Sequence, residues 1–252
     1  MLVESRDVGD GVRILKLNRP PANAINAEFL TALGAQCKAA LEDENVRALI
    51  VEGNGKFFSG GLDLKEASSS ANRVGNLAGA QDDGRFMLWT LPKPTVAMVN
   101  GHAIAGGVIL ALACDFRVTY DGSHRFGLNE VAIGLAFPRG AFEIARLALS
   151  NEQLRRTTLE AGLFDVDHAR EMGIVDEIVE PARLEARCIE LAKRLSANGR
   201  LAYAHTKRRI QAEAVARVLH PDIEEVREVA RITQSEESRS LIAAQVNALS
   251  HR

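Results

Sequence analysis

The sequence predicts a layered α/β protein. Over the first 135 residues, short apolar runs that read as buried strands alternate with helical periods. Several of those runs end at a glycine, and beyond about residue 141 helical periods take over. Val12-Arg13-Ile14-Leu15-Lys16-Leu17 reads as a strand that stops at Asn18-Arg19-Pro20-Pro21. A helix capped by Asn26 follows, with Leu30, Leu33, Cys37 and Leu41 three or four residues apart. Ala48-Leu49-Ile50-Val51, ending at Gly53, and Thr95-Val96-Ala97-Met98-Val99, ending at Asn100-Gly101, read as buried strands. A helix from Val108 to Ala113 leads into a third such run, Phe116-Arg117-Val118-Thr119-Tyr120.

Helical periods then cover 142–147, 181–195 and 201–219, with one strand-like run at 174–179. The segment 223–249 is charged and helical by pattern. Its apolar positions Ile223, Val226, Val229, Ala230, Leu241, Ile242 and Val246 must cover this chain's own core or a neighbouring subunit. Small polar residues fill 65–84, which predicts a mobile loop beside a site.

The 252 residues carry 31 Lys+Arg against 33 Asp+Glu, for a net charge of −2, and 46% of them are hydrophobic. Such a balance argues against nucleic-acid binding, and no apolar run approaches the roughly 18–20 residues that span a bilayer. Charges in Met1-Leu2-Val3-Glu4-Ser5-Arg6-Asp7 argue against a secretory leader. Cys37, Cys114 and Cys188 are far apart and odd in number, so a reducing, cytoplasmic compartment is expected rather than a disulfide framework.

Several chemistries lack their parts. There is no Gly-x-Ser-x-Gly, no Cys-x-x-Cys and no pair among the six histidines at helical zinc spacing. Gly101 and Gly106 have Walker-like spacing, but Gly107-Val108 stands where Lys-Ser/Thr is needed. Neither a metal nor a dinucleotide cofactor is expected.

Two segments share one physical design. In Lys56-Phe57-Phe58-Ser59-Gly60-Gly61-Leu62-Asp63-Leu64 a strand end opens into a glycine pair; in Gly101-His102-Ala103-Ile104-Ala105-Gly106-Gly107-Val108 the pair also begins a helix. Glycines let backbone N–H groups face a ligand closely, and a helix start adds unpaired donors and partial positive charge. Two such donors converging on one point form an oxyanion hole; tight turns with packing glycines are the other reading. The third element is Glu130, one carboxylate inside the apolar stretch Phe126-Gly127-Leu128-Asn129-Glu130-Val131-Ala132-Ile133-Gly134-Leu135. Burial there would raise its pKa toward that of a general base.

In combination these segments resemble the enoyl-CoA hydratase/isomerase (crotonase) family. Asn18-Arg19-Pro20-Pro21-Ala22-Asn23-Ala24 is similar to the family's opening turn, and Phe58-Ser59-Gly60-Gly61-Leu62-Asp63-Leu64 to its F-S-A-G-x-D-L segment. The second glycine turn with Ala113-Cys114-Asp115, then Gly162-Leu163-Phe164 and Ala169-Arg170-Glu171-Met172-Gly173-Ile174-Val175-Asp176, continue the likeness in order. The resemblance implies a spiral of β-β-α turns over residues 1–190 and a helical, trimerising region over 191–252, assembled as a homotrimer or a dimer of trimers. It implies an acyl-CoA thioester as substrate, with coenzyme A carried on the substrate and no separate cofactor.

Carried over by position, the oxyanion donors are the N–H groups of Gly60 and Gly106, and Glu130 is the acid/base. The family usually has alanine where Gly60 stands. Ser59, Gly61, Leu62, Asp63, Leu64, Gly107, Ile109 and Phe137 lie against substrate, and Ala22 and Ala24 near the adenine. Lys207, Arg208 and Arg209 either reach CoA phosphates or form a solvated helix face. His102 is expected to pack or cap, Asp63 to bond its own turn, Glu143 to lie on a solvated face, and Cys114 to fill space.

Hydratases of the family use two glutamates, and the first position here is Ile109. An aliphatic side chain removes the partner of an attacking water, whereas shifting a double bond needs one base. The resemblance is closest to the single-glutamate Δ3,Δ2-enoyl-CoA isomerases. Hydration, another enolate reaction such as thioester hydrolysis or decarboxylation, and acyl-CoA binding without catalysis are the alternatives.

Overall fold

Residues 1–64 and 84–250 are described by the computed structural model. The chain starts with an antiparallel pair, β1 (Val3–Asp7) and β2 (Val12–Leu17), and then α1 (Ala27–Glu42), whose first turn is capped by the Asn26 side chain accepting from the Phe29 N–H. Three repeats of one plan follow. β3 (Ala48–Glu52) and β4 (Phe57–Ser59) precede α2 (Gly84–Thr90); β5 (Thr95–Val99) and β6 (His102–Ile104) precede α3 (Gly106–Leu112); β7 (Phe116–Tyr120) and β8 (Phe126–Gly127) precede a 3-10 turn, Val131–Ile133. Next come α4 (Arg139–Ala148), α5 (Asn151–Leu159), α6 (Val166–Glu171), β9 (Glu177–Val179) and α7 (Leu184–Ser196). The last described elements are α8 (Arg200–Leu219), α9 (Ile223–Thr233) and α10 (Glu236–Ser250).

Six strands form one sheet in the order β1-β2-β3-β5-β7-β9, parallel apart from the first pair. Short strands form a second, fully parallel sheet, β4-β6-β8. Each repeat therefore puts one strand in each sheet and winds on, the β-β-α spiral that the resemblance implies.

Side-chain alternation explains why the large sheet is covered on both faces. Leu15, Leu17, Leu49, Val51, Ala97 and Val99 face the main core with α1 and α3, while Val12, Ile14, Ala48, Ile50, Val96 and Met98 face Leu184, Cys188, Leu191 and Ala192 of α7. A fully buried leucine or isoleucine contributes about 1.5–3 kcal/mol, so α7 belongs energetically to the core. It also runs across position 190, the expected boundary of the helical region.

Some expectations change and others are refined. Only residues 177–179 of the strand-like run at 174–179 pair with β7; Ile174 and Val175 instead donate to Ala169 O, because Gly173 (φ +70°) turns the chain back over the end of α6. The charged C-terminal segment is helical as expected, in two helices. Ser235 breaks it, its hydroxyl accepting from the Ser238 N–H at the start of α10. Of the stretch expected to be mobile, Gly84 is the buried first residue of α2 and touches α1, while 65–83 lie outside the described residues.

Candidate active site

All three short strands deliver a site segment at their C-terminal ends. β4 leads to Gly60-Gly61-Leu62, β6 to Ala105-Gly106-Gly107, and β8 to Leu128-Asn129-Glu130. Because the strands are parallel, the three ends meet at one edge of the small sheet.

The first segment is clamped by the loop 19–25. Gly60 N–H donates to Ala22 O (2.7 Å), Asp63 N–H to Ile25 O (2.9 Å), and Gly61 O accepts from Ile25 N–H (2.7 Å). Gly61 N–H donates to Ser59 Oγ (3.2 Å), whose own hydroxyl donates to Asn23 O (2.8 Å). Asn23 is fully buried, and its amide donates to Phe57 O (2.9 Å) and Phe58 O (3.2 Å). This corrects the assignment of Gly60 as oxyanion donor, since its N–H is already consumed within the protein. Among the described residues, the turn's amide without a partner is that of Leu62. Which of four adjacent amides stays free depends on a loop some forty residues away, and no local pattern carries that information.

The second glycine turn starts a helix. Gly106 N–H opens α3 with no cap from a side chain, and Ala105 before it holds φ +51° and ψ −124°, a strained conformation for a residue with a Cβ. Ala105 N–H is fixed to Gly127 O (2.7 Å), tying the turn to β8. A Cβ built on Gly106 would lie 3.7 Å from Leu62 N, and one on Gly61 (φ +81°) 3.0 Å from Gly106 N. The two turns thus bring the amide nitrogens of Leu62 and Gly106 close together. Gly107 is required by contact alone, because a Cβ there would stand 2.1 Å from Ser59 O.

Glu130 is buried at the head of the 3-10 turn, where its carbonyl accepts from Ile133 N–H (3.1 Å) and Leu135 N–H (2.9 Å). Its Oε2 has no hydrogen-bond partner among the described residues, and neither has the buried Asn129 Oδ1. Burial pushes its pKa up to about 7, against smaller lowering effects from its own N–H and from Arg85. Ile109, fully buried on α3, presents hydrocarbon where the resemblance puts a second carboxylate.

A small apolar cluster closes the site. Ile133 and Leu135 pack with Ile242 and Val246 of α10 and with the half-buried Leu62 and Leu64. The C-terminal helix therefore covers its own chain's site, whereas Ile223 and Val226 of α9 stay exposed. Gly134 (φ +71°) allows this approach, since a Cβ would meet Ser238 Cα at 2.9 Å. Phe137 is half-buried against the main core, 6.3 Å from the Phe142 ring. Ala22 and Ala24 are half-buried on the clamp loop.

Other assignments shift. Lys207 does not point to a phosphate site: it is buried, with Nζ 2.8 Å from Asp115 Oδ1, in a cluster that Tyr203 joins by donating to Asp115 Oδ2 (3.0 Å). Arg208 and Arg209 are exposed on α8. Glu143 is buried rather than solvated, because Arg146 (2.8 Å) and Arg217 (3.0 Å) both pair with its Oε2. Asp63 pairs with Arg19 of the clamp loop (2.6 Å). His102 caps, its Nδ1 accepting from Arg125 N–H (2.9 Å), and Cys114 is buried with its thiol pKa raised.

Among the described residues no helix is long and apolar enough to cross a membrane, and no group of three or more His, Cys, Asp or Glu side chains is placed to hold a metal.

Comparison with known proteins points the same way as this geometry. A Mycobacterium tuberculosis protein, described as an enoyl-CoA isomerase in one solved structure and as a probable enoyl-CoA hydratase in another, is 30% identical, with a TM-score of 0.80 over 91% of this chain and 97% of its own. Human mitochondrial Δ3,Δ2-enoyl-CoA isomerase shares the fold with a TM-score of 0.93 over 100% of this chain and 99% of its own, at 24% identity. A carnitinyl-CoA dehydratase from Salmonella arizonae is 34% identical over 201 residues, 77% of this chain and 74% of its own. Escherichia coli 2,3-dehydroadipyl-CoA hydratase is 29% identical over 211 residues, 81% of this chain and 80% of its own. With the family model for enoyl-CoA hydratase/isomerase matching residues 7–245, the chain belongs to that family.

Proposed function

We propose that the protein shifts the double bond of a 3-enoyl-CoA to give the 2-enoyl-CoA, with Glu130 as the only acid/base. The ionised carboxylate removes a proton from C2, and the electron pair delocalises through the C3–C4 double bond onto the thioester oxygen. The N–H groups of Leu62 and Gly106 hold the resulting dienolate oxygen, each such donor contributing about 3–4 kcal/mol to the transition state. Glu130 then returns the proton to C4, and the double bond comes to rest between C2 and C3. A base with a pKa near 7 suits both directions of transfer, and proton transfer of this kind contributes about 10²–10⁴-fold.

The observation that carries the reading is Ile109. It is fully buried on the helix that bears the Gly106 donor, where a water-activating carboxylate is required for hydration. Among the described residues, the carboxylates of Glu143 and Asp63 are held in ion pairs, Glu143 with Arg146 and Arg217 and Asp63 with Arg19. Coenzyme A enters as the substrate's thioester, with the acyl group against Leu62, Leu64, Ile109 and Ile133 and no separate cofactor. The exposed apolar residues Ile223 and Val226 of α9 support assembly as a homotrimer or a dimer of trimers.

The test is turnover of 3-enoyl- and 2-enoyl-CoA esters by the protein and by Glu130→Gln. The protein converts the 3-enoyl ester, and Glu130→Gln binds CoA thioesters without converting them; full activity in Glu130→Gln overturns the reading. A second reading, hydration, is favoured by relatives described as a hydratase and a dehydratase. It predicts 3-hydroxyacyl-CoA from the 2-enoyl ester.

A further inference from the structure

Gly60, Gly61 and Asp63 of the first glycine turn are fixed to the loop 19–25, and a salt link between that loop and the turn is set beside the Leu62 amide. Arg19 Nη2 donates to Asp63 Oδ2 at 2.6 Å while its Nη1 donates to Ala24 O at 3.0 Å, and both side chains are largely buried. The Arg19 end is itself fixed, because its N–H donates to Asn23 Oδ1 (3.0 Å) and its carbonyl accepts from Asn23 N–H (2.8 Å). The Leu62 N–H belongs to the Gly61–Leu62 peptide, whose carbonyl accepts from Ile25 N–H (2.7 Å), and the Arg19–Asp63 link holds the following residue against the same loop.

We infer that Arg19 and Asp63 are a positioning pair for the Leu62 N–H, aligning it on the reacting thioester oxygen and cancelling a negative charge beside the oxyanion. The inference rests on the enolate chemistry proposed above. Two physical arguments carry it. An amide donor is useful only within hydrogen-bond range of the oxygen as charge develops, and a displacement of about 1 Å can cost about 100-fold in rate. An unpaired carboxylate next to the donor would oppose that same charge in a site screened from water. Arg19 answers both needs: its planar fork reaches Asp63 and Ala24 O together, which the single point charge of a lysine cannot reproduce.

The pair acts on the oxyanion and not on substrate binding or on Glu130. Arg19→Lys and Arg19→Met are therefore expected to lower kcat about 10- to 100-fold, leave the dissociation constant of a saturated acyl-CoA within about 3-fold, and leave the pH midpoint of kcat/KM in place. Arg19→Lys keeps the charge and is expected to retain more activity than Arg19→Met. A direct reporter is acetoacetyl-CoA, whose bound enolate absorbs in the near ultraviolet. The wild-type protein develops that band and the folded variants lose most of it. Unchanged kcat and an unchanged band in either folded variant, or losses in kcat, binding and melting temperature that move together, overturn the inference and leave the proposed function standing. A wild-type protein that neither turns over enoyl-CoA nor develops the band refutes both.

Discussion

Replacing Glu130 by glutamine is expected to make the protein more stable above neutral pH while abolishing turnover. Glu130 has a native pKa of about 7 against 4.5 for an exposed glutamate, because burial penalises the ionised form, and among the described residues its Oε2 has no hydrogen-bond partner. A native pKa above the unfolded one means that the folded state holds the proton more tightly. The associated stability is fully present below pH 4.5 and is lost as pH rises through about 7. The difference of roughly 2.5 pKa units corresponds to about 3 kcal/mol, and for a chain of this size to a melting shift of roughly 6–12 °C. Glutamine has the same shape and never ionises. At pH 8.5 Glu130→Gln should therefore melt higher by that amount, and at pH 4.5 the two proteins should differ by no more than about 1 kcal/mol. The assay is thermal unfolding of both proteins at fixed protomer concentration across this pH range, with turnover measured alongside. A pH-independent difference, or a glutamine variant that is the less stable at pH 8.5, would refute the claim that Glu130 is a buried, unpaired base.

Acid should act through His124, whose Nε2 lies 2.7 Å from Thr119 Oγ1 behind the small sheet and whose pKa burial pushes down to about 4. The proton is bound more tightly in the unfolded chain, so stability falls by up to about 3 kcal/mol as pH drops from 6.5 through 4, and His124→Gln should flatten that part of the stability–pH curve. Gly107→Ala places a methyl group 2.1 Å from Ser59 O and should cost about 3 kcal/mol with loss of activity, read by denaturant melts and turnover. Ile109→Glu should create weak hydration of 2-enoyl-CoA, visible as 3-hydroxyacyl-CoA by chromatography, at a stability cost on the order of 3 kcal/mol for a buried carboxylate.

What local chemistry specifies was legible beforehand. The strand Val12–Leu17, the Asn26 cap of α1 and the glycine that opens α3 follow from alternation, capping and the need for close backbone approach. Glu130 was legible as a lone carboxylate in apolar surroundings, and the structure buries it. Long-range pairing decided the rest. β1 is edge-exposed with little alternation, and β4, β6 and β8 are two or three residues long, too short for any periodic signal. That Gly60 donates to Ala22 O, and Leu62 is left as the free donor, depends on the fold of a distant loop. Glu143 and Lys207 looked like surface charges because their partners, Arg217 and Asp115, are 74 and 92 residues away.

The central claim is that one buried glutamate carries a proton from C2 to C4 under an oxyanion hole built from the Leu62 and Gly106 amides. The most direct measurement is the product distribution from 3-enoyl-CoA and 2-enoyl-CoA, with Glu130→Gln alongside. The account predicts equilibration of the two enoyl esters, no accumulation of 3-hydroxyacyl-CoA, and no turnover in the variant. Formation of 3-hydroxyacyl-CoA as the main product, or wild-type rates in Glu130→Gln, would contradict it.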